Sequence, residues 1–267
     1  MGISSSLYNG LTGMNSYSTG ISVVSDNVAN ANTTGFKAND IRFGDLILGE
    51  YSFGTNDKES EGAGSSVLGI VTDFSQGTLL DTSNWSDLAI SGKGFFIVND
   101  GSQDFYTRDG TFHIGIEGTG EEAQYFLVNQ QGYKVQGIDG DIEIANPDTY
   151  AKFYVNMKGE IIAVNGEGEE ETLGQIKLAG FTNENGLVRN GGNLYSKGPE
   201  SGEPFYSDNE EKAAYFGKII DSCVESSNVD LAAEMVNLIV YQAGYNANSK
   251  TITTSSELIN TSINMIR

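Results

Sequence analysis

Few side chains in this sequence are of the types that carry out catalysis or bind metal ions. It contains one histidine, His113, and one cysteine, Cys223. Zinc sites and Cys-His nucleophiles need several such ligands or a paired base, and a second histidine or cysteine is absent here. His113 lies in an alternating run, residues 111–114, which is typical of a strand residue facing solvent or a hydrogen-bond partner. The sequence therefore excludes zinc, haem and Cys-His chemistry.

Two further segments resemble ligand-binding loops but lack the residues that such loops need. The Gly-Lys-Gly run at residues 92–94 has neither the spacer nor the Lys-Ser/Thr pair of a phosphate loop, so it predicts a turn. Residues 139–143 resemble the start of a calcium loop, but Ile144 stands where glycine is needed and Tyr150 where glutamate is needed. A carboxylate pair for glycoside hydrolysis stays open among 36 acidic residues, although no spacing singles one out. We expect no cofactor, no metal and no enzymatic activity.

The most regular pattern consists of two long helices at the ends of the chain. Apolar residues repeat in a four-three alternation over residues 4–30 and again over 226–267, with Ser18, Ser25, Gln242, Ser249 and Ser256 completing the frame. The second helix would be about 55 to 60 Å long, more than the core of one domain requires. We call these apolar positions the apolar seam and expect them to pack between subunits. It comprises Leu7, Leu11, Met14, Ile21, Val28, Leu231, Met235, Leu238, Tyr245, Ile252, Ile259, Ile263 and Ile266.

Glycines in the first helix indicate that it needs a partner. Gly10, Gly13 and Gly20 each cost a helix up to about 1 kcal/mol relative to alanine. The C-terminal helix is the obvious partner, so we expect the two to pair as a coiled coil. The alternative is an ordinary helical hairpin inside a globular domain.

The middle of the chain has the composition of a β domain. Short β-type runs between glycine-rich turns begin at residue 67, which predicts a mainly antiparallel sheet. Residues 37–66 are polar and contain glycine, which predicts an extended linker. The expected fold class is α+β, with residues 1–36 and 226–267 as a helical polymerisation core, 37–66 as a linker and 67–225 as a β-rich outer domain.

Charge is concentrated in the same middle segment. The formal net charge is −21, and only four of the 36 acidic residues lie outside residues 38–228: Asp26, Asp230, Glu234 and Glu257. An acidic surface repels phosphate, so we exclude nucleic acid as a partner. No run of eighteen apolar residues and no general secretory signal is present, so we expect no membrane span. If the protein leaves the cell, another export route must recognise it.

One segment carries a specific resemblance. Residues 27–36 (Asn-Val-Ala-Asn-Ala-Asn-Thr-Thr-Gly-Phe) resemble the N-terminal signature of the flagellar rod and hook proteins, with six matching positions: Asn27, Ala29, Asn30, Thr33, Gly35 and Phe36. Residues 73–77, 87–96 and 106–112 are similar to the segment that follows the linker in hook and distal-rod proteins. Residues 225–238 also fit the start of the family's last helix. The resemblance spans nearly the whole chain.

The resemblance implies a structural subunit of the bacterial flagellar axial structure, either hook or a short hook-like or distal-rod segment. Such a subunit would polymerise with itself into a helical tube that transmits torque. Its other partners would be flagellar rod, hook and junction proteins, the hook cap and the type III export apparatus. It would lie in the basal body or hook, outside the cytoplasm. Between the subtypes we favour the hook, because residues 2–20, 43–46 and 229–231 look more like a hook protein. The compact length looks more like a distal-rod protein.

A second function class stays open at this point. The chain could be a secreted β-domain binding protein or glycosidase that oligomerises through a coiled-coil stalk. Such a protein needs an aromatic or acidic cleft, and the single tryptophan, Trp85, is expected to lie alone in a polar turn.

Overall fold

The fold combines two long helices with many short antiparallel strands. The computed structural model describes residues 3–52, 58–118, 124–144, 149–209 and 212–266. The helices are α1 (Ile3–Ala29) and α2 (Leu231–Ile266). The strands in these ranges are β1 Asn39–Ser52, β2 Lys58–Thr72, β3 Leu79–Asp81, β4 Leu88–Ser91, β5 Phe95–Asn99, β6 Asp104–Thr107, β7 His113–Glu117, β8 Gln124–Val128, β9 Lys134–Gly137, β10 Gly140–Asp141, β11 Glu143–Ile144, β12 Tyr150–Val155, β13 Glu160–Asn165, β14 Glu170–Gln175, β15 Leu178–Gly180, β16 Val188–Gly191, β17 Leu194–Ser196, β18 Phe205–Tyr206, β19 Lys218–Asp221 and β20 Cys223–Glu225.

Both predicted helices are confirmed, with a shift at the start of the second. The sequence pattern begins at residue 226, but α2 begins at Leu231. The cap is Asp230, whose Oδ1 accepts the backbone N–H groups of Ala232 at 2.9 Å and Ala233 at 3.2 Å. Over the described residues, neither helix has an apolar stretch long enough to cross a bilayer.

The predicted linker is instead a long β-hairpin. Strand β1 pairs antiparallel with β2 from Asn39 opposite Thr72 onwards, with three irregularities in the register. Glycine and polar residues lower the strand propensity of each arm, so a local pattern does not reveal the pairing. Consequently the β domain does not begin at residue 67, which lies inside β2.

The remaining strands confirm the expected antiparallel β architecture. An eleven-stranded sheet has the path β11-β8-β9-β5-β6-β17-β16, with β10 on β9, β7 on β8, β15 on β5 and β18 on β15. Strands β12, β13 and β14 form a three-stranded sheet, and β19-β4 and β20-β3 form two-stranded sheets. His113 lies exposed at the start of β7, as its alternating run predicts.

Buried aromatic and aliphatic side chains form the core of these sheets. Phe96, Val98 and Leu127 are buried in the larger cluster, and Phe95 and Phe181 belong to a second cluster. Trp85 is not isolated in a turn, because its indole ring stacks on Phe153 with ring centroids 4.7 Å apart. Such stacking adds to the apolar area that the core buries. Trp85 is therefore half-buried against the core and does not mark an aromatic cleft.

The chain divides into two compact units whose boundaries differ from the expected ones. The first, which we call the helical unit, comprises residues 1–31, 38–73 and 229–267, so the hairpin belongs with the helices. The second, the β unit, comprises residues 32–37 and 74–228. The segment after α1 thus belongs with the β unit, because its side chains are buried there.

Gly35 illustrates how tightly that segment is held. Its φ is +66°, and a Cβ atom at this position would lie 2.5 Å from the backbone nitrogen of Asp109. Gly168, in the turn between β13 and β14, has a similar φ of +85° but nothing within 4 Å of an added Cβ. A side chain would meet backbone strain at both glycines but steric crowding only at Gly35, so comparing the two separates the effects.

We predict that Gly35→Ala lowers the free energy of unfolding by about 3 kcal/mol, because strain and a backbone clash combine. Gly168→Ala should lower it by about 1 kcal/mol, because strain acts alone. Urea unfolding of both variants, followed by circular dichroism, measures the difference. An equal decrease in the free energy of unfolding for both variants would mean that the backbone around Gly35 moves aside at little energetic cost.

Candidate assembly surface

Helices α1 and α2 pack closely and run antiparallel. Ser6 Oγ lies 3.2 Å from Ser255 Oγ near one end of the pair. Further along, a Cβ atom at Gly13 would lie 2.8 Å from the Asn248 side chain, and one at Gly20 would lie 3.0 Å from the Tyr241 ring. The glycines that weaken α1 as an isolated helix therefore allow the close approach of its partner.

The face of α1 that is buried within the chain does not coincide with the apolar seam. Buried positions are Gly10, Gly13, Ser16, Gly20, Val23, Val24 and Asn27. In contrast, Leu11 is exposed, and Leu7, Met14, Ile21 and Val28 are only half-buried. The helix turns its small residues towards α2 and the hairpin, so the larger apolar residues are partly left at the surface.

Helix α2 shows the same offset. Leu238, Tyr245, Ile252 and Ile259 of the apolar seam are half-buried, and Ile252 packs over Gly10. The other described seam side chains, Leu231, Met235 and Ile263, are exposed, and the side chain of Ile266 lies outside the described residues. Among the described residues of α2, five exposed large apolar residues lie outside the heptad frame: Val236, Ile239, Val240, Leu258 and Met265. The spacing of Val236, Ile239 and Val240 along a helix could have identified them.

A polar junction joins three elements of the helical unit. Asn27 is fully buried near the end of α1, and its Nδ2 donates to Glu234 Oε1 at 2.8 Å and to the Asn39 carbonyl at 2.9 Å. Its Oδ1 accepts the Asn39 N–H at 2.9 Å. Asn27 therefore connects α1 to the first residue of β1 and to the first turn of α2.

Three aromatic rings fill the space beside this junction. Tyr17, Phe43 and Tyr241 contribute one ring each from α1, β1 and α2, with centroids 5.8 to 6.1 Å apart. These separations suit tilted and edge-to-face packing. Burial raises the pKa of Tyr241 above its usual value. The hairpin is thus the third packed element of the helical unit.

The segment after α1 is fixed inside the β unit by buried charges. Lys37 Nζ donates to Glu225 Oε1 at 2.6 Å and to the Ser75 carbonyl at 2.7 Å. Arg108 Nη1 lies 3.4 Å from Glu225 Oε2, and all three charged side chains are buried. One carboxylate therefore compensates two cations away from solvent.

Comparison with known proteins identifies the family of this chain. Three family models match: the flagella basal body rod protein over residues 7–37, the flagellar hook protein FlgE/F/G D1 domain over 89–163, and the flagellar basal body rod FlgEFG protein C-terminal region over 222–265. The flagellar basal-body rod protein FlgG of Bacillus subtilis is 35% identical over 271 residues, covering 98% of this chain and 99% of that protein. The chain belongs to the flagellar rod and hook family.

Two other relatives differ in how much they share. FlgG of Agrobacterium fabrum is 34% identical and covers 92% of this chain and 94% of its own length. The hook protein FlgE of Salmonella typhimurium is 34% identical over 137 residues, which is 51% of this chain and 30% of that protein. Hook protein FlgE2 of Helicobacter pylori, a solved structure, is 16% identical over 64% of this chain and 47% of its own, with a TM-score of 0.26, too low to bear on the fold.

Membership of this family makes the chain a structural subunit of the flagellar axial structure and not an enzyme. The alternative, a secreted binding protein or glycosidase on a stalk, gains no support from these comparisons. Within the described residues, no group of three or more His, Cys, Asp or Glu side chains is placed to hold a metal ion.

The family signature has a structural explanation in each unit. In the helical unit, Asn27 forms the polar junction, and Asn30 Nδ2 donates to the Asp26 carbonyl at 2.9 Å. Ala29 is exposed and forms no such contact. In the β unit, the Thr33 carbonyl accepts the Phe36 N–H at 3.3 Å, and the Gly35 N–H donates to the Glu225 carbonyl at 2.8 Å.

The signature aromatic and its neighbour complete the anchor in the β unit. Phe36 is buried, with the guanidinium carbon of Arg189 5.0 Å from its ring centroid. Lys37 follows directly and makes the ion pair with Glu225. No sequence pattern groups Lys37, Arg108 and Glu225, because they are far apart in the chain. The only local signal is the presence of a lysine next to the signature.

We predict that Glu225→Leu lowers the free energy of unfolding by about 3 to 5 kcal/mol, because two buried cations lose their anion. Glu203→Leu is the matched control, since Glu203 pairs with Lys197 at the surface and such pairs contribute little. Chemical unfolding of both variants provides the measurement. A loss for Glu225→Leu as small as that of the control would contradict the role given to this charge cluster.

Proposed function

We propose that the chain is a subunit of the rod of the flagellar basal body. The support is coverage: the FlgG rod proteins of B. subtilis and A. fabrum align over 98% and 92% of this chain, whereas the hook protein aligns over 51%. The hook-like features at residues 2–20, 43–46 and 229–231 are the counter-argument. Full-length alignment outweighs them, because it includes the β unit as well as the helices.

We further propose that the subunit polymerises through its helices into a tube that transmits torque. The observation that carries this is the set of large apolar side chains left exposed on α2, including Met235 and Ile239. Folded monomers rarely expose so much contiguous apolar surface without a partner. A contact between different faces of identical subunits repeats without closing and generates a helical filament.

The two faces of the helix pair take different roles in this proposal. The small residues of α1 pack against α2 within one chain, as a coiled-coil pair. The exposed members of the apolar seam, such as Leu11, Leu231 and Ile263, pack against neighbouring subunits. The acidic β unit faces outwards, where charge is compatible with solvent. The assignment of the seam to contacts between subunits is a prediction.

The remaining partners and the location follow from the family. Other rod, hook and junction proteins would bind at the ends of the segment, and the hook cap and export apparatus would act during assembly. The subunit would leave the cytoplasm through the flagellar type III apparatus and lie in the basal body. Labelling the protein in purified hook–basal bodies would test the assignment to the rod, and label confined to the hook would refute it.

Substitutions on α2 test the assembly face. Met235 and Ile263 are 56% and 55% exposed, so Asp at either position should leave the free energy of unfolding nearly unchanged. Each should still abolish assembly, because a charge would be buried without a partner at every contact. Motility of a strain that depends on the variant, and sedimentation of its basal bodies, would measure the loss.

A matched control comes from the β unit. Val188 is 46% exposed on β16, and Val188→Asp should leave both stability and motility intact. Ile252→Asp is unsuitable, because Ile252 packs over Gly10 of its own chain and would also disturb the helix pair. Equal motility in Met235→Asp, Ile263→Asp and Val188→Asp would show that α2 does not provide the contact.

A further inference from the structure

Glu234 is the acidic side chain that α2 buries, and its environment is unusual. The Asn27 amide donates to Oε1, whereas Oε2 is buried with no hydrogen-bond partner among the described residues. The positive end of the α2 dipole lies close by, which favours an anion in the first turn. A buried carboxylate with one orphan oxygen is costly, so its presence requires an explanation.

At the Gly10 and Gly13 end of the helix pair, packing does little to fix how far one helix lies along the other. A slip of three residues would place Gly13 where Gly10 lies and Ser16 where Gly13 lies, so small residues replace small residues. Nearer the end of α1 the slip introduces larger or charged side chains, with Val23 at Gly20 beside the Tyr241 ring and Asp26 at the buried position of Val23. Interdigitating leucines would resist such a slip, but this contact has few of them.

The polar junction behaves differently. A slip of three residues moves Asn27 about 5 Å along the axis and removes its amide from Glu234. It also breaks both hydrogen bonds between Asn27 and the Asn39 backbone, which begins the hairpin. Three buried hydrogen bonds would be lost at once, which leaves polar groups unsatisfied away from water.

We propose that Asn27 and Glu234 set the register in which α1 and α2 pair. A buried polar contact used in this way reduces stability relative to an apolar one and selects one alignment. The inference concerns a single folded chain and does not depend on the proposed place in the rod. It assigns Glu234 as a positioning residue, and it explains why a carboxylate is buried in a helix pair of otherwise small and apolar residues.

Disulfide trapping in the full chain tests this proposal. In a Cys223→Ser background, Ser6→Cys with Ser255→Cys reports the native register, since these hydroxyls lie 3.2 Å apart. Ser6→Cys with Leu258→Cys reports the slipped register. The parent and Glu234→Gln, which keeps an oxygen for the Asn27 amide, should form only the first cross-link. In Glu234→Leu the first cross-link should fall several-fold and the second should appear.

Control variants separate register from general destabilisation. Glu257→Leu, an exposed acid of the same helix, should behave as the parent. If Glu234→Leu loses its helix content, Asn27→Leu with Glu234→Leu removes both partners and should restore helix content with mixed cross-links. The native cross-link alone in either leucine variant would overturn the proposal and assign the register to Gly20 and Tyr241. Loss of all cross-links and of helix content in both would also overturn it, because the contact would then hold the pair together without selecting its register.

Discussion

The close approach of α1 to α2 is the constraint on which the helical unit depends. A Cβ atom at Gly13 would clash with the Asn248 side chain, and one at Gly20 would be crowded by the Tyr241 ring. Because these glycines occupy the contact, larger side chains of α1 must point elsewhere. The pair therefore inverts the usual arrangement of a two-helix contact, with small residues inside and several large apolar residues towards the surface.

This arrangement has an energetic consequence. A buried leucine contributes about 1.5 to 3 kcal/mol, and a glycine contributes no side-chain burial. The helix pair thus gains little apolar burial from its glycine contact, and the hairpin adds Phe43, whose ring packs against Tyr17 of α1 and Tyr241 of α2. A hydrogen bond also joins α1 to the hairpin, since Ser16 Oγ donates to the Ser65 carbonyl at 3.1 Å. The hairpin is therefore a packing element and not a spacer.

The limits of the sequence-based predictions follow from the same physics. Helix periodicity correctly predicted two long helices, because the period is a local property. It did not identify the intrachain contact of α1, because Leu11 and Met14 dominate the hydrophobic pattern while Gly10 and Gly13, one residue earlier, make the contact. The glycine spacing was the informative signal, but its cost to an isolated helix obscured it. The hairpin was missed because glycine and polar residues lower the strand propensity of both arms.

Buried polar groups were the least predictable part. Lys37, Arg108 and Glu225 meet inside the β unit, although each is an ordinary charged residue in the sequence. Asn27 was found only through its resemblance to a family signature, and its partner Glu234 carries no local signal of burial. The first turn of a helix suits an anion whether or not it is buried. Sequence patterns give the presence of a helix but not the neighbour that covers its end.

The helices have a face of small residues that packs within the chain and a face of exposed apolar residues. This difference gives the proposed assembly a physical basis. A subunit that buried its leucines and methionines internally would be more stable alone, but it would offer neighbours only polar surface. A subunit whose helices leave apolar residues exposed gains their burial when identical subunits surround it, so its apparent stability rises with assembly. Because glycines occupy the contact between α1 and α2, the large apolar side chains of the helices are left at the surface, where neighbouring subunits can bury them.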